Sequence, residues 1–196
     1  ATVTEADIVA RFLDGVGKQK PQLVGYNSES ADLRILLQRA LVHGVQAADF
    51  AHRPEKPWEG VDYFAGGDWH VDLMTVIGGR GRGRPSLHEV AAASGIPGKF
   101  ATEGGEVADL WMGGQLASII NYNERDALTT YLVWLRLAHF GGFFSPAEYL
   151  QEQQLVEDLL RDEGKHPGRE HLTGYLEEWS RVRREAGTAG QIQLNF

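Results

Sequence analysis

Apolar residues recur at helical spacing near the start of the chain, at Ile8, Val9, Phe12, Leu13 and Val16. The spacing predicts an amphipathic helix over TEADIVARFLDGVGK, with Thr4 as N-cap and Gly17 as the stop. Pro21 then opens QLVGYN, a short apolar run that predicts a buried strand. A second helix follows in SESADLRILLQRALVHGV. Ser28 or Ser30 is its expected cap, and Leu33, Leu36, Leu37, Ala40 and Leu41 its expected buried face. Residues 48–68 mix prolines, glycines and scattered aromatics and read as a long surface loop.

WHVDLMTVI is apolar enough for a strand, or a strand running into a turn, and GGRGRGRPS is a Gly/Arg loop. SLHEVAAASGI predicts a helix closed by Gly95. From Gly105 the pattern is helical, with a break expected at Gly113–Gly114 and the strongest periodicity over Asn121–Phe140. Two more helices, rich in Glu and Arg, are expected over 146–163 and 168–185, and QIQLNF forms a tail. No internal repeat is present. Strand and helix alternate at first and helices dominate later, which points to an α/β class with a helix-rich C-terminal half.

Composition narrows the chemistry. The 196 residues correspond to about one domain. With no cysteine there is no disulfide, thiolate zinc site, cysteine nucleophile or iron–sulfur cluster. That fits a reducing cytosol, and a cytoplasmic location is expected. No apolar run approaches the roughly 18 residues of a membrane-spanning helix, and ATVTEADIVARF lacks the basic and apolar regions of a signal peptide. The net charge is −8. An acidic chain is a poor non-specific partner for nucleic acid, unless bound metals or a local basic cluster supply the positive charge.

Three constellations could carry chemistry. Tyr122 and Asp126 lie four apart in NYNERDALTTY, so on a helix they share one face with Thr129 and Thr130. A carboxylate on the inner side of that helix needs a metal or an arginine as partner. On spacing alone, a solvated Asp beside a core Tyr is the commoner case. Asp32 falls in the first turn of the second helix, where the helix dipole favours an acid without any function. The alternative is that ligands bind where strands end and helices begin at the edge of an α/β sheet. Asn27, at that strand end, either contacts substrate or caps a turn. Arg80, Arg82 and Arg84 alternate with glycines. They are either phosphate contacts or a flexible surface loop. The histidines form no HxxxH or HExxH zinc helix, and no Walker loop or GxSxG elbow exists.

Taken in order, these blocks resemble the predicted 3′–5′ exonuclease family related to the proofreading exonuclease domain of family-B DNA polymerases. That family lies in the ribonuclease H-like DEDD superfamily, tyrosine subtype. The similarity runs from about Pro21 to Leu160. PQLVGYNSESADLRILLQRAL is similar to the second exonuclease motif, HVDLMTVIGGRGRGRPSLHEVAAASGIPGKF to the middle segment, and IINYNERDALTTYLVWLRL to the third motif, Tyr-x-x-x-Asp. The resemblance implies a ribonuclease H-like exonuclease fold, taken as a single domain over 1–196 with 146–196 as its helical C-terminal extension. It implies two Mg²⁺ or Mn²⁺ ions per site, acting on the 3′ end of single-stranded DNA or RNA. Asp32 and Asp126 match the metal-binding acids, Tyr122 the tyrosine that orients the attacking water, and Asn27 the motif Asn that contacts substrate. The three arginines as phosphate contacts are an expectation from their charge, not from the resemblance.

Two departures stand against this pattern. Ala31 precedes Asp32 where the family usually has Phe. The superfamily's first motif, Asp-x-Glu on an opening strand, is expected upstream of the helix at 4–16, and the sequence starts immediately before that helix. Two of the four expected carboxylates and the opening strands are therefore lacking. The chain is expected to be either a fragment or a degenerate member without catalysis. Stripping strands from the middle of a sheet is hard to reconcile with marginal stability, which favours the fragment. The rival to the exonuclease is a non-catalytic nuclease-fold module that binds nucleic acid or a protein partner.

Overall fold

Thr4 begins the first helix as its sequence predicts. Its hydroxyl accepts from the Asp7 amide at 3.2 Å, and the Asp7 carboxylate accepts from the Thr4 amide at 2.9 Å, a reciprocal capping box. The computed structural model describes residues 2–56, 58–65, 67–79, 81–98 and 106–189, with side chains described through residue 186. The chain divides into two compact units, Ala1–Arg84 and Pro85–Phe196.

In the first unit, helix α1 (Glu5–Gln19) packs on α2 (Asp32–Val42) and on a short α3 (Ala48–Ala51). The apolar stripe read from the sequence supplies the core: Val9, Leu13 and Val16 from α1 meet Leu33 and Ala40 from α2. Gly17 does not stop α1. The helix continues to Gln19, and Lys20 closes it in the left-handed conformation at φ 50°. Gly17 is buried because α3 comes close: a Cβ there would lie 2.6 Å from the Phe50 backbone nitrogen. Neither Ser28 nor Ser30 caps α2, whose N-cap is Ala31 without a side-chain bond. Leu41, expected inside, is 80% exposed, because the α2 face that meets α1 passes through Leu33 and Ala40.

Residues 48–68 are more than a surface loop. Phe50 and Tyr63 are both 2% exposed and stack with centroids 5.2 Å apart, and Phe64 meets Phe50 edge-on. The Tyr63 hydroxyl donates to the Pro21 carbonyl at 2.9 Å. Aromatic burial thus pins the segment, each ring pair contributing about 0.5–1.5 kcal/mol beyond its area. Strand β1 (Leu23–Gly25) pairs in parallel with β2 (His70–Asp72), Val24 opposite Val71 and Gly25 opposite Asp72. WHVDLMTVI is a short strand running straight into α4 (Leu73–Gly78), which Asp72 caps by accepting from the Met74 amide.

The second unit is helical among its described residues: α5 (Leu87–Ala93), α6 (Val107–Met112), α7 (Leu116–Phe140), α8 (Pro146–Glu163) and α9 (Glu170–Ala189). Ser86 with Glu89, and Ser145 with Glu148, form capping boxes. The break at Gly113–Gly114 falls where expected. Gly114 takes φ 69°, and the Gln115 amide returns to the Leu110 carbonyl at 2.8 Å, a Schellman ending that needs glycine's left-handed freedom. Leu132, Val133 and Leu135 of α7, Val156 and Leu160 of α8, and Leu172, Tyr175 and Trp179 of α9 are buried together with Leu87 and Ala91 of α5. Among the described residues the architecture is mainly helical with one parallel strand pair, consistent with an α/β class.

The two glycines of α1 make a paired test. Gly17→Ala forces its methyl against the α3 backbone and is expected to cost about 1–3 kcal/mol. At Gly15 a Cβ meets nothing within 4 Å, so Gly15→Ala is expected to stabilise by about 0.5–1 kcal/mol through helix propensity. Urea unfolding of both variants checks the sign at each position.

Candidate functional site

At the ends of the two strands the backbone folds around one carboxylate. Asp72 is 5% exposed. Its Oδ1 accepts from the Asn27 amide at 2.9 Å and the Met74 amide at 3.0 Å, and its Oδ2 from the Glu29 amide at 3.0 Å. A carboxyl group removed from water requires such donors. Beside it the Ser28 hydroxyl and His70 Nε2 lie 3.0 Å apart, both residues buried. These contacts hold Asn27 at φ 61°, a left-handed conformation that Asn tolerates better than most residues. Asn27 therefore sits half-buried at the strand end, and Asp32 follows it, exposed in the first turn of α2. Both positions agree with the sequence reading. Of the residues that build the turn, Asp72 and His70 were not singled out by it, and Ser28 was read as a helix cap rather than as a partner of His70. The available signal was an acid inside the apolar run WHVDLMTVI, a residue that needs a partner when buried.

Of the arginine loop, Arg80 lies outside the described residues. Arg82 is exposed and Arg84 half-buried. Gly79, Gly81 and Gly83 all take positive φ, so the backbone conformation depends on the alternating glycines.

In the second unit, α7 brings Tyr122 and Asp126 into contact. Both are half-buried, and the Tyr122 hydroxyl donates to the Asp126 carboxylate. Burial, then this bond and the neighbouring negative charge, push the Tyr122 hydroxyl up to about 12, so it is a donor throughout the neutral range. One turn on, Thr129 is buried and its hydroxyl donates to the Pro97 carbonyl at 3.3 Å. With that proton committed, the Tyr175 hydroxyl is the donor in its 2.9 Å bond to Thr129. Burial also raises the Tyr175 hydroxyl, and Asp126 adds to the effect. The face of α7 read from spacing is thus a polar seam against α9.

A further cluster borders this helix. Glu124 accepts from Arg169 at 3.0 Å and meets His171 Nε2 at 2.6 Å, and Arg169 also binds Glu163. The histidines' spacing gave no sign of this. The signal available was the helical alignment of His171 with Tyr175 on the α9 stripe that becomes buried.

Among the described residues no group of three or more Asp, Glu or His is placed to hold a metal ion. Asp126 is engaged by a phenol, Asp72 by three amides, and Asp32 stands exposed on its helix. Asp72 is spent on its amides, while Asp32 and Asp126 keep lone pairs that could face a cation, fewer free oxygens than a pair of hard cations takes.

The parallel strand pair of the first unit and the helices of both units are consistent with an α/β nuclease-like domain. The chain belongs to the family of predicted 3′–5′ exonucleases related to the exonuclease domain of PolB, whose model matches residues 1–179. The match is wider at both ends than the resemblance drawn from the motifs. No curated protein and no solved structure matched the chain. No helix among the described residues is long and apolar enough to cross a membrane.

The Tyr–Asp couple has a spectroscopic signature. In wild type the Tyr122 hydroxyl is expected to titrate near 12. In Asp126→Asn the negative neighbour is gone but burial remains, so the midpoint should fall toward the ordinary 10 without reaching it. Because the folded value is the raised one, the associated stability is complete below pH 10 and lost as pH rises through 12. Ultraviolet difference titration, with Tyr122→Phe to assign the signal, measures this. An unchanged midpoint in Asp126→Asn would refute the pairing.

Proposed function

We propose that this chain is a ribonuclease H-like, metal-dependent 3′–5′ exonuclease that removes nucleotides from single-stranded DNA or RNA ends by two-metal hydrolysis, in the cytoplasm. The observation that carries the reading is the Tyr122–Asp126 couple on α7, in a chain whose family membership spans residues 1–179. Tyr122 is proposed to orient the attacking water through its hydroxyl. Its O–H donates a hydrogen bond to Asp126, and its oxygen lone pairs remain to accept from the water. Asp126 and Asp32 are the proposed metal-facing acids, with Mg²⁺ or Mn²⁺ as the ions. Asn27, held left-handed by the Asp72 turn, is proposed to contact substrate, and Arg80, Arg82 and Arg84 to contact phosphates.

A second reading is favoured by one observation, the lack of a three-carboxylate or histidine group among the described residues. On it the chain is a non-catalytic nuclease-fold module that binds nucleic acid or a protein partner.

Hydrolysis of a 3′-labelled single-stranded oligonucleotide in Mn²⁺ separates the two. The exonuclease reading expects weak release by this chain, none by Asp126→Ala or Asp32→Ala, and a loss of roughly a hundredfold in Tyr122→Phe. Equal release by Asp126→Ala removes the site assignment. Calorimetry with Mn²⁺ adds the second criterion: binding at two sites supports the enzyme, and no binding supports the module.

A further inference from the structure

We propose that a cleft in the second unit, formed by the C-terminal turn of α5 with α7, α8 and α9, binds a nucleoside monophosphate by its phosphate at Arg136. The cleft holds about 210 Å³. Its floor is apolar and deeply buried, made by Ile96, Leu132 and Trp179. Its rim is polar and carries two guanidiniums, Arg136 and Arg183, with Tyr149 and Gln153 one turn apart on α8.

The cations of this unit are not equivalent. Arg161, Arg169, Arg181 and Arg183 each meet at least one carboxylate. Arg136 makes no ion pair among the described residues, and its one hydrogen bond there is a long one, from Nε to the Tyr149 hydroxyl at 3.4 Å. In a chain of net charge −8, an arginine at a cleft mouth whose terminal N–H groups face no protein acceptor among those residues is a fork presented to an external anion. The neighbouring groups are already fixed. Tyr149 stacks flat on His139 at 4.5 Å, and Arg183 lies 4.3 Å over the Trp179 ring while tied to Glu157. A site built from held side chains loses little entropy on binding.

The size of the cleft argues against a bare ion. At about 30 Å³ per water it has room for about seven waters, more than one phosphate fills. The apolar floor beneath the polar rim suits the sugar of a nucleotide, with the Gln153 amide at the rim to meet its polar edge. The nucleoside part of the assignment rests on the nuclease reading, of which such a nucleotide is the product; the anion part rests on Arg136 alone.

The test is calorimetry of the full chain in EDTA with adenosine 5′-monophosphate, inorganic phosphate and adenosine as separate titrants. Excluding metal keeps the result independent of any hydrolytic site. Adenosine 5′-monophosphate is expected to bind, inorganic phosphate to bind more weakly, and adenosine not to bind. Arg136→Ala should weaken nucleotide binding roughly tenfold or more, and Arg136→Lys should restore part of it. Arg136 is exposed, so both variants are expected to fold, and circular dichroism checks this. No binding of the nucleotide, or equal affinity in Arg136→Ala, overturns the proposal. Inorganic phosphate binding as tightly as the nucleotide overturns the nucleoside part. A chain that binds nucleotide here yet never hydrolyses an oligonucleotide keeps the cleft and loses the nuclease reading.

Discussion

The buried carboxylate of Asp72 governs the shape of the first unit's strand ends. A carboxyl group at 5% exposure is tolerable only with hydrogen bonds to its oxygens, and three backbone amides supply them. Two of those amides, from Asn27 and Glu29, belong to a turn 45 and 43 residues away in sequence. The turn cannot relax to another form without leaving amide donors and a carboxyl group unpaired, at about 1–3 kcal/mol or more for each group. The left-handed Asn27 is a consequence, since strain of this kind persists only where surrounding contacts over-determine it. The start of α2, and so the position of Asp32, follows from the same constraint.

Much of the fold was legible because helices advertise themselves by period. The α1 stripe with its Thr4 cap and the Gly113–Gly114 break follow from local chemistry acting within a few residues. What was not legible depended on distant partners. Ser28 reads as an N-cap, yet its hydroxyl is taken by His70, 42 residues on. Gly17 reads as a stop, yet it is the gap through which the α3 backbone approaches. Phe50 and Tyr63 carry no periodicity, so their stacking could not be read from the loop that holds them. The same division runs through the candidate site. The Tyr122–Asp126 contact lies within one helical turn and was predictable, whereas Asp72 and the Glu124–Arg169–His171 group pair across 43 to 47 residues.

Electrostatics divide the arginines in the same spirit. Most of those on α8 and α9 neutralise carboxylates on neighbouring turns or helices, contributions that are small when exposed and screened by salt. Such residues are unavailable to a phosphate without first breaking a pair. An acidic chain can still meet an anion where a cation is held apart from its own acids, which is the situation of Arg136. Overall charge is therefore a weak guide here, and the local pairing of each guanidinium the better one.

The protonation of Tyr122 limits what it can do. A phenol whose hydroxyl titrates near 12 carries its proton at neutral pH and cannot serve as a general base there. Its proton is already directed at Asp126, so what it offers a third group is its oxygen lone pairs, a means of orienting rather than of proton abstraction. Among the described residues Asp126 accepts from the Tyr122 hydroxyl, which leaves it further lone pairs. The couple thus has the polarity of a positioning device that would work beside a separate source of a strong nucleophile. That is why the identity and number of the carboxylates around it decide between an enzyme and a binding module, and why Tyr122 alone, however well placed, does not.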